Sequence, residues 1–224
     1  MAGLRIQYGG TFDPVHDGHL AVARSARDRL QARVWLMPAA DPPHKGPTQA
    51  SAEARSAMLR LAIAGQADLQ VDDRELRRDG PSWTIDTLVG LRREIGGAAP
   101  LAILIGADSF LGLPTWKQWR SLPDFAHIVI AERPGSIIDP DALPEPLRSF
   151  AMPRWRSRAA ELHESPAGGL LRLKLPLRPE SSSALRRRIA QGEPWRDWVA
   201  PAVADYIERH RLYGAGPRRP AASR

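Results

Sequence analysis

The sequence predicts an α/β fold organised as a doubly wound parallel sheet, with a small helical part at its C-terminal end. Strand-like apolar runs alternate with helical patterns along the chain, as they do in folds built from strand–helix–strand units. Residues 101–105 are apolar at every position, which is typical of a central parallel strand that is covered on both faces. Two of the runs end in glycines, at Gly9, Gly10 and Gly106, and such sheets bind ligands beyond the carboxyl ends of their strands.

In the first half of the chain, helices are expected between four predicted strands. Ser51 is placed to cap the second helix, because a serine hydroxyl at this position accepts from the free N–H groups of the first turn. Ser82 is expected to cap the third helix in the same way. The neighbouring Trp83 either stacks on the ring of a ligand or packs on the sheet. The four strands are predicted at residues 4–8, 34–37, 69–71 and 101–105.

The second half of the chain adds two strands and the helical C-terminal part. Residues 127–131 form another apolar run, and the alternation of residues 170–175 predicts a last, half-exposed strand. Residues 136–165 are rich in proline and arginine and are expected to form short helices and loops. A closing helix is predicted to begin at Pro201, since proline suits the first turn, and to end at Gly214.

Length and composition bound the class of protein. Of the 224 residues, 43% are hydrophobic and 25% are charged, which is ordinary for a soluble globular protein. We expect residues 1–214 to form a single domain and residues 215–224 to form a disordered basic tail. No apolar run approaches the roughly 20 residues of a membrane span, and the first strand begins too early to leave room for a signal peptide. Zero cysteines exclude disulfides and thiol catalysis, and we expect a cytoplasmic location.

The net charge of +7, from 32 basic and 25 acidic residues, suits either nucleic acid or a small polyanionic substrate. Arg154, Arg156 and Arg158 form a cluster that is either a solvated basic face or part of a binding surface. A basic nucleic-acid-binding protein is therefore an alternative function from a different class. It would leave the glycine turns and the paired histidines without a role.

The stretch from Gly9 to His19 combines a strand end, a glycine turn and a helix start. Its two glycines let the backbone turn sharply and approach a ligand closely. The helix that follows begins with N–H groups that have no partner and that form an anion site. His16 and His19 lie three residues apart at this helix start, and imidazoles can donate to phosphoryl oxygens. We therefore expect a polyphosphate to bind at this stretch.

Two other interpretations of the histidine pair are open. A metal site could use the imidazoles with Asp13 or Asp17, but zinc needs three or four ligands and the later sequence supplies no matching cluster. Alternatively, both rings are satisfied by backbone groups. The stretch is neither a P-loop, which requires Gly-Lys-Ser/Thr, nor the dinucleotide-binding pattern Gly-x-Gly-x-x-Gly.

A second group of residues follows the predicted central strand. The first strand and this strand are the expected neighbours at the point where the strand order reverses, so that Gly106 faces the same crevice as the glycine turn. Asp108 offers a hydrogen-bond acceptor suited to a sugar, and Trp116 offers an aromatic plane suited to a flat ring. The alternative for Trp116 is that it packs in the core together with Trp119.

Two further segments carry groups that suit phosphates. Ser182 and Ser183 precede Arg186 at a predicted helix start, where serine hydroxyls either cap the helix or donate to a phosphate. The guanidinium of Arg186 is a planar fork that matches phosphoryl oxygens. Lys45, in a proline-containing loop, is either a movable phosphate-binding charge or an ordinary surface lysine.

The stretch Gly-Gly-Thr-Phe-Asp-Pro-Val-His-x-Gly-His-Leu at residues 9–20 resembles the signature of the His-x-Gly-His nucleotidyltransferase superfamily. Five further segments, in matching order and spacing, narrow this resemblance to the bacterial nicotinate-nucleotide adenylyltransferases over residues 5–214. These segments are Pro42-Pro43-His44-Lys45, Arg74-Glu75-Leu76 with Pro81-Ser82-Trp83-Thr84, Gly106-Ala107-Asp108-Ser109 with Trp116, Arg133-Pro134-Gly135, and Ser182-Ser183 with Arg186.

The last of these segments departs from the family pattern. Glu180 stands in place of the usual isoleucine, and Ser183 stands in place of threonine while keeping a hydroxyl. A carboxylate beside a polyphosphate is unfavourable unless it points to solvent or pairs with an arginine.

The resemblance implies a Rossmann-like nucleotidyltransferase fold and an enzyme that transfers AMP from ATP to nicotinate mononucleotide, forming deamido-NAD and pyrophosphate. It implies that His16, His19 and Arg186 are catalytic and hold the ATP phosphates. The implied ATP-binding residues are Gly9, Gly10, Thr11, Phe12, Lys45, Gly106, Arg133, Ser182 and Ser183. The implied mononucleotide-binding residues are Trp83, Thr84, Asp108 and Trp116. Mg²⁺ is expected on the substrate phosphates, with no metal ligand from protein side chains.

The expected partners are therefore ATP and nicotinate mononucleotide, with neither nucleic acid nor a membrane involved. Phosphopantetheine adenylyltransferase is the nearest alternative within the superfamily. It usually has threonine where His16 stands, and it lacks the segments around Trp83 and Trp116. An aminoacyl-tRNA synthetase shares the His-x-Gly-His motif, but this chain is too short for one and has no Lys-Met-Ser-Lys-Ser loop.

Overall fold

Six strands form one sheet in the computed structural model, which describes residues 3–40, 48–78, 80, 82–133, 135–176 and 178–216. The strands are β1 (Arg5–Gly10), β2 (Arg33–Pro38), β3 (Leu69–Val71), β4 (Leu101–Gly106), β5 (His127–Glu132) and β6 (Leu170–Lys174). Every pairing is parallel, and the order across the sheet is β3-β2-β1-β4-β5-β6. The order reverses between the neighbouring strands β1 and β4. The predicted doubly wound parallel sheet and its reversal point are therefore confirmed.

Helices flank the sheet within the described residues, and short 3-10 turns join some of them. The α-helices are α1 (Asp17–Leu30), α2 (Ala52–Ala62), α3 (Thr84–Ile95), α4 (Ala107–Leu111), α5 (Leu122–Phe125), α6 (Leu147–Ala151), α7 (Ser182–Gln191) and α8 (Pro201–Arg209). In the described part of the chain, none of them is long and apolar enough to span a membrane.

Two apolar layers cover the two faces of the sheet. On β4, Leu101, Ile103 and Ile105 join one layer, whereas Ala102 and Leu104 join the other. Because successive side chains of a strand point to opposite faces, this alternation places β4 at the centre with both faces covered. The first layer also contains the buried apolar residues of α3, α4, α5 and α6, and the second contains those of α1, α2, α7 and α8.

The two predicted serine caps have different outcomes. Ser51 caps α2 as predicted, because its Oγ accepts from the N–H of Ala54 at 3.2 Å. Ser82 does not cap α3, and this prediction is wrong. The first helical residue is Thr84, and Trp83 occupies the N-cap position without a side-chain hydrogen bond. A cap must directly precede the helix, so the serine lies one residue too early.

The region of residues 136–165 is built from short helical pieces, as predicted. These are α6 and the 3-10 turns Met152–Arg154 and Ala159–Leu162. Strand β6 follows as an edge strand that pairs with β5, and its side chains alternate between buried and exposed positions along most of its length. The predicted half-exposed last strand is therefore confirmed.

The arginine cluster in this region bonds to its own segment. Arg154 donates to the carbonyl of Phe150 at 2.6 Å, and Arg156 donates to the carbonyl of Arg154 at 3.2 Å. Arg158 lies 3.7 Å from a carboxylate oxygen of Glu161. These contacts favour the interpretation of the cluster as a solvated basic face that braces local structure.

Helix α8 begins at Pro201, as predicted, but it ends at Arg209 rather than at Gly214. The prediction of the helix end is wrong because Arg211 adopts a left-handed φ of 52°, which breaks the helical path before the glycine is reached. Gly214 closes a separate short turn instead. Most of the predicted tail, residues 217–224, lies outside the described residues.

Candidate active site

Two cavities open at the carboxyl ends of β1 and β4, where the strand order reverses. The large cavity has a volume of about 680 Å³, and the small cavity has a volume of about 220 Å³. Both are lined by Gly9, Gly10, Thr11 and Gly106, so they meet at the glycine turns. The large cavity is also lined by Phe12, His16, His19, Asp108, Arg133, Ser182, Ser183 and Arg186. The small cavity is also lined by Gln7, Glu75, Ser82, Trp83, Thr84, Trp116 and Lys117.

Close packing fixes the shape of the turn between β1 and α1. Phe12 adopts a left-handed φ of 50° and is 1% exposed. A Cβ on Gly10 would lie 2.9 Å from the Phe12 ring, so this position requires glycine for a close approach. The Phe12 ring packs edge-on against Tyr8 and His19, with centroid distances of 5.5 Å and 4.9 Å. The turn therefore holds the His19 ring from one side.

The two imidazoles of the His-x-Gly-His motif lie against each other, with ring centroids 3.7 Å apart. The main-chain N–H of His16 donates to Nδ1 of His19 at 3.3 Å. This contact orients the His19 ring through its Nδ1. His19 also lines the large cavity, where an imidazole can donate to a phosphoryl oxygen.

His16 is buried and neutral. The residue is 6% exposed, and burial lowers its pKa from 6.5 to about 4. Among the described residues its Nδ1 has no hydrogen-bond partner. A Cβ on Gly18 would lie 2.9 Å from this atom, so the ring occupies space that only glycine leaves open. A buried ring nitrogen without a protein partner, in a residue that lines a cavity, is typical of a ligand site.

The serine run at the start of α7 divides its hydroxyls between different tasks. Ser181 caps the helix, because its Oγ accepts from the N–H of Ala184 at 3.2 Å. The Ser182 hydroxyl donates to the carbonyl of Pro14 at 3.0 Å, and its proton is therefore used within the protein. Ser183 is exposed and lines the large cavity. Helix capping, one of the two alternatives for this run, is therefore confirmed for Ser181, and donation to a phosphate stays a prediction for Ser183.

Arg186 and His19 line the same cavity. The Nη1 of Arg186 donates to the main-chain carbonyl of Asp13 at 2.6 Å, which fixes the guanidinium beside the turn after β1. Glu180 also lines this cavity, and its carboxylate lies 3.5 Å from the guanidinium of Arg178. Glu180 therefore has the arginine partner that a carboxylate beside a phosphate needs.

Asp108 and Arg133 form an exposed ion pair that lines the large cavity. Their charged atoms lie 3.7 Å apart, with side chains 77% and 60% exposed, and Ser136 Oγ donates to Asp108 at 3.0 Å. An ion pair this exposed contributes little to stability, so both charges can turn to a ligand at small cost. Asp108, predicted to bind the mononucleotide, thus lies in the large cavity next to Gly106, which both cavities share.

Aromatic rings line the small cavity. Trp83 and Trp116 both border it. Trp119 is only 8% exposed instead, and its ring lies 4.8 Å from the ring of Phe150 in the core. Trp119 therefore packs in the core, whereas Trp116 is partly buried against the same core cluster and also lines the small cavity.

Buried and half-buried polar side chains also border the small cavity. Glu75 is buried, which raises the pKa of its carboxyl, and it accepts from Thr87 Oγ1 at 2.9 Å. Gln7 donates to Asp72 at 2.8 Å, which leaves its Oε1 without a partner among the described residues. The same holds for Ser82 Oγ. Unsatisfied buried polar atoms are rare in folded proteins, and their presence beside a cavity indicates a ligand site.

Arg55 supports the site and belongs to none of the recognised motifs. It is fully buried, and its guanidinium donates to the carbonyls of Thr11 and Ala39 at 2.7 Å and of Ala40 at 3.1 Å. It thereby joins the loops that follow β1 and β2. Helical periodicity was the available signal, since Arg55 precedes Met58 by three residues on the buried face of α2.

Two further sequence-based expectations concern Lys45 and the metal ion. Lys45 lies outside the described residues. Within the described ranges, no group of three or more histidine, aspartate or glutamate side chains is arranged to hold a metal ion.

Known proteins resemble the chain along most of its length. Residues 7–188 match the family model described as cytidylyltransferase-like. A protein of Stenotrophomonas maltophilia strain K279a, described as a probable nicotinate-nucleotide adenylyltransferase, is 52% identical over 95% of this chain and 98% of its own. A protein of Xylella fastidiosa strain M12 with the same description is 43% identical over 96% and 98%. Plasmodium falciparum nicotinic acid mononucleotide adenylyltransferase, solved in complex with NaAD, shares the fold with a TM-score of 0.72 at 17% identity over 96% and 98%.

Proposed function

The chain belongs to the cytidylyltransferase-like family, and we propose that it is a nicotinate-nucleotide adenylyltransferase whose reaction takes place where the two cavities meet. The enzyme transfers AMP from ATP to nicotinate mononucleotide and forms deamido-NAD and pyrophosphate, a step of NAD biosynthesis. A cytoplasmic location belongs to the same proposal and is consistent with zero cysteines.

One observation carries the proposal. His19 and Arg186 come from opposite ends of the sequence and line one cavity, which meets a second, aromatic cavity at Gly9 and Gly106. The large cavity offers donors for a triphosphate, and the small cavity offers tryptophan faces for a pyridine ring. The shared glycines let the backbone approach the reacting phosphates. A dinucleotide whose phosphates lie between two ring systems fits this arrangement.

In the proposed reaction, a 5′-phosphate oxygen of the mononucleotide attacks the α-phosphorus of ATP. The new P–O bond forms as the bond from the α-phosphorus to the bridging β-phosphate oxygen breaks, and that electron pair leaves with pyrophosphate. No covalent enzyme intermediate is needed, because the attacking group is already an anion. Catalysis then consists of positioning the two phosphates and stabilising the charge that develops.

We assign the stabilisation of charge to His19 and Arg186, with help from His16. The imidazole of His19 and the guanidinium of Arg186 both line the large cavity, and both groups suit phosphoryl oxygens. The N–H groups at the start of α1 add further donors at the same place. The proposed ATP-binding set otherwise keeps the glycines, Ser183 and Arg133, all of which line the large cavity.

The small cavity is assigned to the pyridine ring of the mononucleotide. Trp83 and Trp116 supply aromatic faces, and Thr84 lies at the start of α3 beside them. Lys117 lines the same cavity, and its Nζ lies 3.0 Å from a carboxylate oxygen of Asp86. A substrate carboxylate can take the place of this exposed partner, so we expect nicotinate to be preferred over nicotinamide.

Nucleotidyltransferases of this family generally use a divalent metal. We propose Mg²⁺, which often keeps water ligands and is bound through substrate phosphates rather than by a protein cage. The large cavity fits this form of binding, since it is lined by side chains that suit substrate phosphates. The bound cation would supply further charge neutralisation on the phosphates.

Pyrophosphate release from ATP tests the proposal when it is measured against nicotinate mononucleotide, nicotinamide mononucleotide and phosphopantetheine. We expect release with nicotinate mononucleotide, and a lower kcat/KM with the amide. Pyrophosphate release with phosphopantetheine alone would mean that phosphopantetheine, and not nicotinate mononucleotide, is the substrate. Salt-dependent retention on DNA without any release would favour the nucleic-acid alternative.

A further inference from the structure

Asp13, the acidic residue of the turn after β1, has a carboxylate that is almost fully buried, at 3% exposure of the residue. Its Oδ2 accepts from the N–H of Gln49 at 2.8 Å, and its Oδ1 accepts from the N–H of Ala50 at 3.1 Å. The Tyr213 hydroxyl also donates to Oδ1, at 2.7 Å. These four residues, Asp13, Gln49, Ala50 and Tyr213, form the Asp13 clasp. The clasp joins the turn, the segment before α2 and the turn after α8.

The main chain of the same turn receives two side chains from α7. Arg186 donates to the carbonyl of Asp13 at 2.6 Å, and Ser182 donates to the carbonyl of Pro14 at 3.0 Å. The carboxylate and the carbonyl of Asp13 thus bond to different elements. The position of the Asp13 carbonyl that accepts from Arg186 therefore depends on how the Asp13 carboxylate is held.

We propose that Asp13 and Tyr213 are positioning residues of the triphosphate site, which act by holding the main chain that seats Arg186. Tyr213 is absent from the linings of both cavities, so it acts on the nucleotide through the turn and not by contact. The inference rests on the proposed function, since adenylyl transfer is the reaction affected. It makes the C-terminal segment of the described chain part of the catalytic apparatus.

The chemistry of the clasp suits a fixed support. Hydrogen bonds to a buried carboxylate are strong, and the loss of one donor leaves a charged acceptor partly unsatisfied. Burial and the hydrogen bond to Asp13 raise the pKa of Tyr213, so its hydroxyl keeps the proton and remains a donor. Tyr213 is 9% exposed, which keeps water from replacing it easily.

Tyr213→Phe tests the proposal with the removal of one hydroxyl, whereas Asp13→Ala would leave three donors without an acceptor and endanger folding. Tyr206→Phe is the matched control, because Tyr206 lies on α8, contacts His210 at a ring distance of 4.2 Å and lines neither cavity. For Tyr213→Phe we expect kcat/KM for ATP to fall about tenfold, as the loss of one bond to a buried charge predicts. The KM for the mononucleotide should change less than about twofold, and Tyr206→Phe should match the parent.

A double variant tests whether Tyr213 acts through Arg186. If it does, Tyr213→Phe should add no further loss to that of Arg186→Ala, because the carbonyl no longer seats a guanidinium. Losses that multiply in the double variant would overturn this part of the proposal. Equal kcat/KM for ATP in the double variant and in Arg186→Ala would support it.

Calorimetric binding of a non-hydrolysable ATP analogue separates this proposal from the proposed function. If the parent releases no pyrophosphate, the proposed function fails, while weaker analogue binding by Tyr213→Phe still supports the clasp. A lower Tm of Tyr213→Phe with parent-like analogue affinity and kcat/KM would mean that the hydroxyl only stabilises the fold. That outcome would overturn the proposal.

Discussion

His16 and His19 stand three residues apart and offer different chemistry because their surroundings differ. His16 is 6% exposed, and its pKa falls to about 4, so its ring is neutral near neutral pH. His19 is half-buried and lines the large cavity, and its Nδ1 accepts from the main chain. Donation to a phosphoryl oxygen therefore suits His19 best, and His16 holds the main-chain N–H that orients the His19 ring.

Replacing His19 with alanine is expected to lower kcat by about 10²-fold or more, because a preorganised donor to developing charge is lost. Steady-state pyrophosphate release gives kcat, and thermal unfolding checks the fold. His210→Ala is the control, since His210 is exposed at the end of α8 and should leave kcat unchanged. A His19→Ala enzyme within about threefold of the parent would remove His19 from the mechanism.

Replacing His16 with glutamine is expected to flatten the pH dependence of the unfolding free energy between pH 6.5 and about 4. The folded ring binds a proton only below about pH 4, whereas the unfolded chain does so below its ordinary pKa of 6.5. The unfolded state thus binds more protons in this window, and the parent loses stability as the pH falls, by up to on the order of 3 kcal/mol. Urea unfolding of both proteins at about pH 4.5 and about pH 7 measures the difference. Equal pH dependence would contradict a buried, neutral His16.

At the scale of elements, two helix starts meet at the large cavity. Helix α1 begins after His16, and helix α7 begins after its cap Ser181. The N–H groups of both first turns carry positive partial charge, which favours an anion between them. The start of α1 also requires a missing side chain, because the His16 ring fills the space above Gly18. The geometry of the phosphate site is thus set by how the helices begin.

Gly18→Ala is expected to lower kcat, whereas Gly90→Ala is expected to leave kcat unchanged, although both glycines are helical. An added Cβ at Gly18 would lie 2.9 Å from His16 Nδ1 and 3.3 Å from the Glu180 carbonyl, so the ring must move. We expect kcat to fall at least about tenfold, since small displacements of catalytic groups have large effects. At Gly90 nothing lies within 4 Å of an added Cβ, so this control should keep its kcat and gain about 0.5–1 kcal/mol.

Steady-state kinetics and urea unfolding of the two glycine variants provide the comparison. Parent-like turnover in Gly18→Ala would show that the reaction tolerates a displaced His16 ring. A loss of turnover in Gly90→Ala of similar size would show that the effect does not arise at the cavity.

The strands and most helices could be predicted because their signals are local. The apolar run of β4 indicates a strand, and the serine before α2 indicates a helix start, each within a few residues. The cap of α3 could not be predicted, because Ser82 and Trp83 are adjacent and only the folded backbone decides which one precedes the helix. Trp116 and Trp119 are equally ambiguous in sequence, because both pack with the same core cluster and only the folded structure shows which one also lines a cavity.

The candidate site was predictable to the extent that one stretch carries it. The glycine turn and both histidines stand together in sequence, so their shared cavity follows from the fold. The Asp13 clasp has no such signature, because Tyr213 lies 200 residues away and the other donors are main-chain N–H groups. The role of Arg55 could not be predicted for a similar reason, since its partners are carbonyls whose positions depend on two separate loops.

At the scale of the whole molecule, the sheet brings distant segments to one edge. Pairing of β1 with β4 places Gly9 and Gly106 between the two cavities. The turn after β1 and the start of α7 border the large cavity, whereas the start of α3 and Trp116 border the small one. Because the remaining linings differ, the two substrates should depend on different side chains.

Trp116→Ala is expected to raise the KM for nicotinate mononucleotide about tenfold, because the loss of one ring-stacking partner costs roughly 1–3 kcal/mol. The KM for ATP should change less than about twofold, since Trp116 lines only the small one of the two cavities. The KM for ATP in the same variant is the internal control. Initial rates at saturating levels of the fixed substrate give both constants.

Calorimetry extends this test to the product. Deamido-NAD has a part for each cavity, so the parent should bind it more tightly than it binds AMP or nicotinate mononucleotide alone. Trp116→Ala should lose most of this advantage while keeping the parent affinity for a non-hydrolysable ATP analogue. The large cavity is unchanged in this variant. An equal loss of affinity for the ATP analogue and for the mononucleotide would therefore mean that the two cavities do not serve separate substrates. The assignment of the small cavity to the pyridine ring would then be wrong.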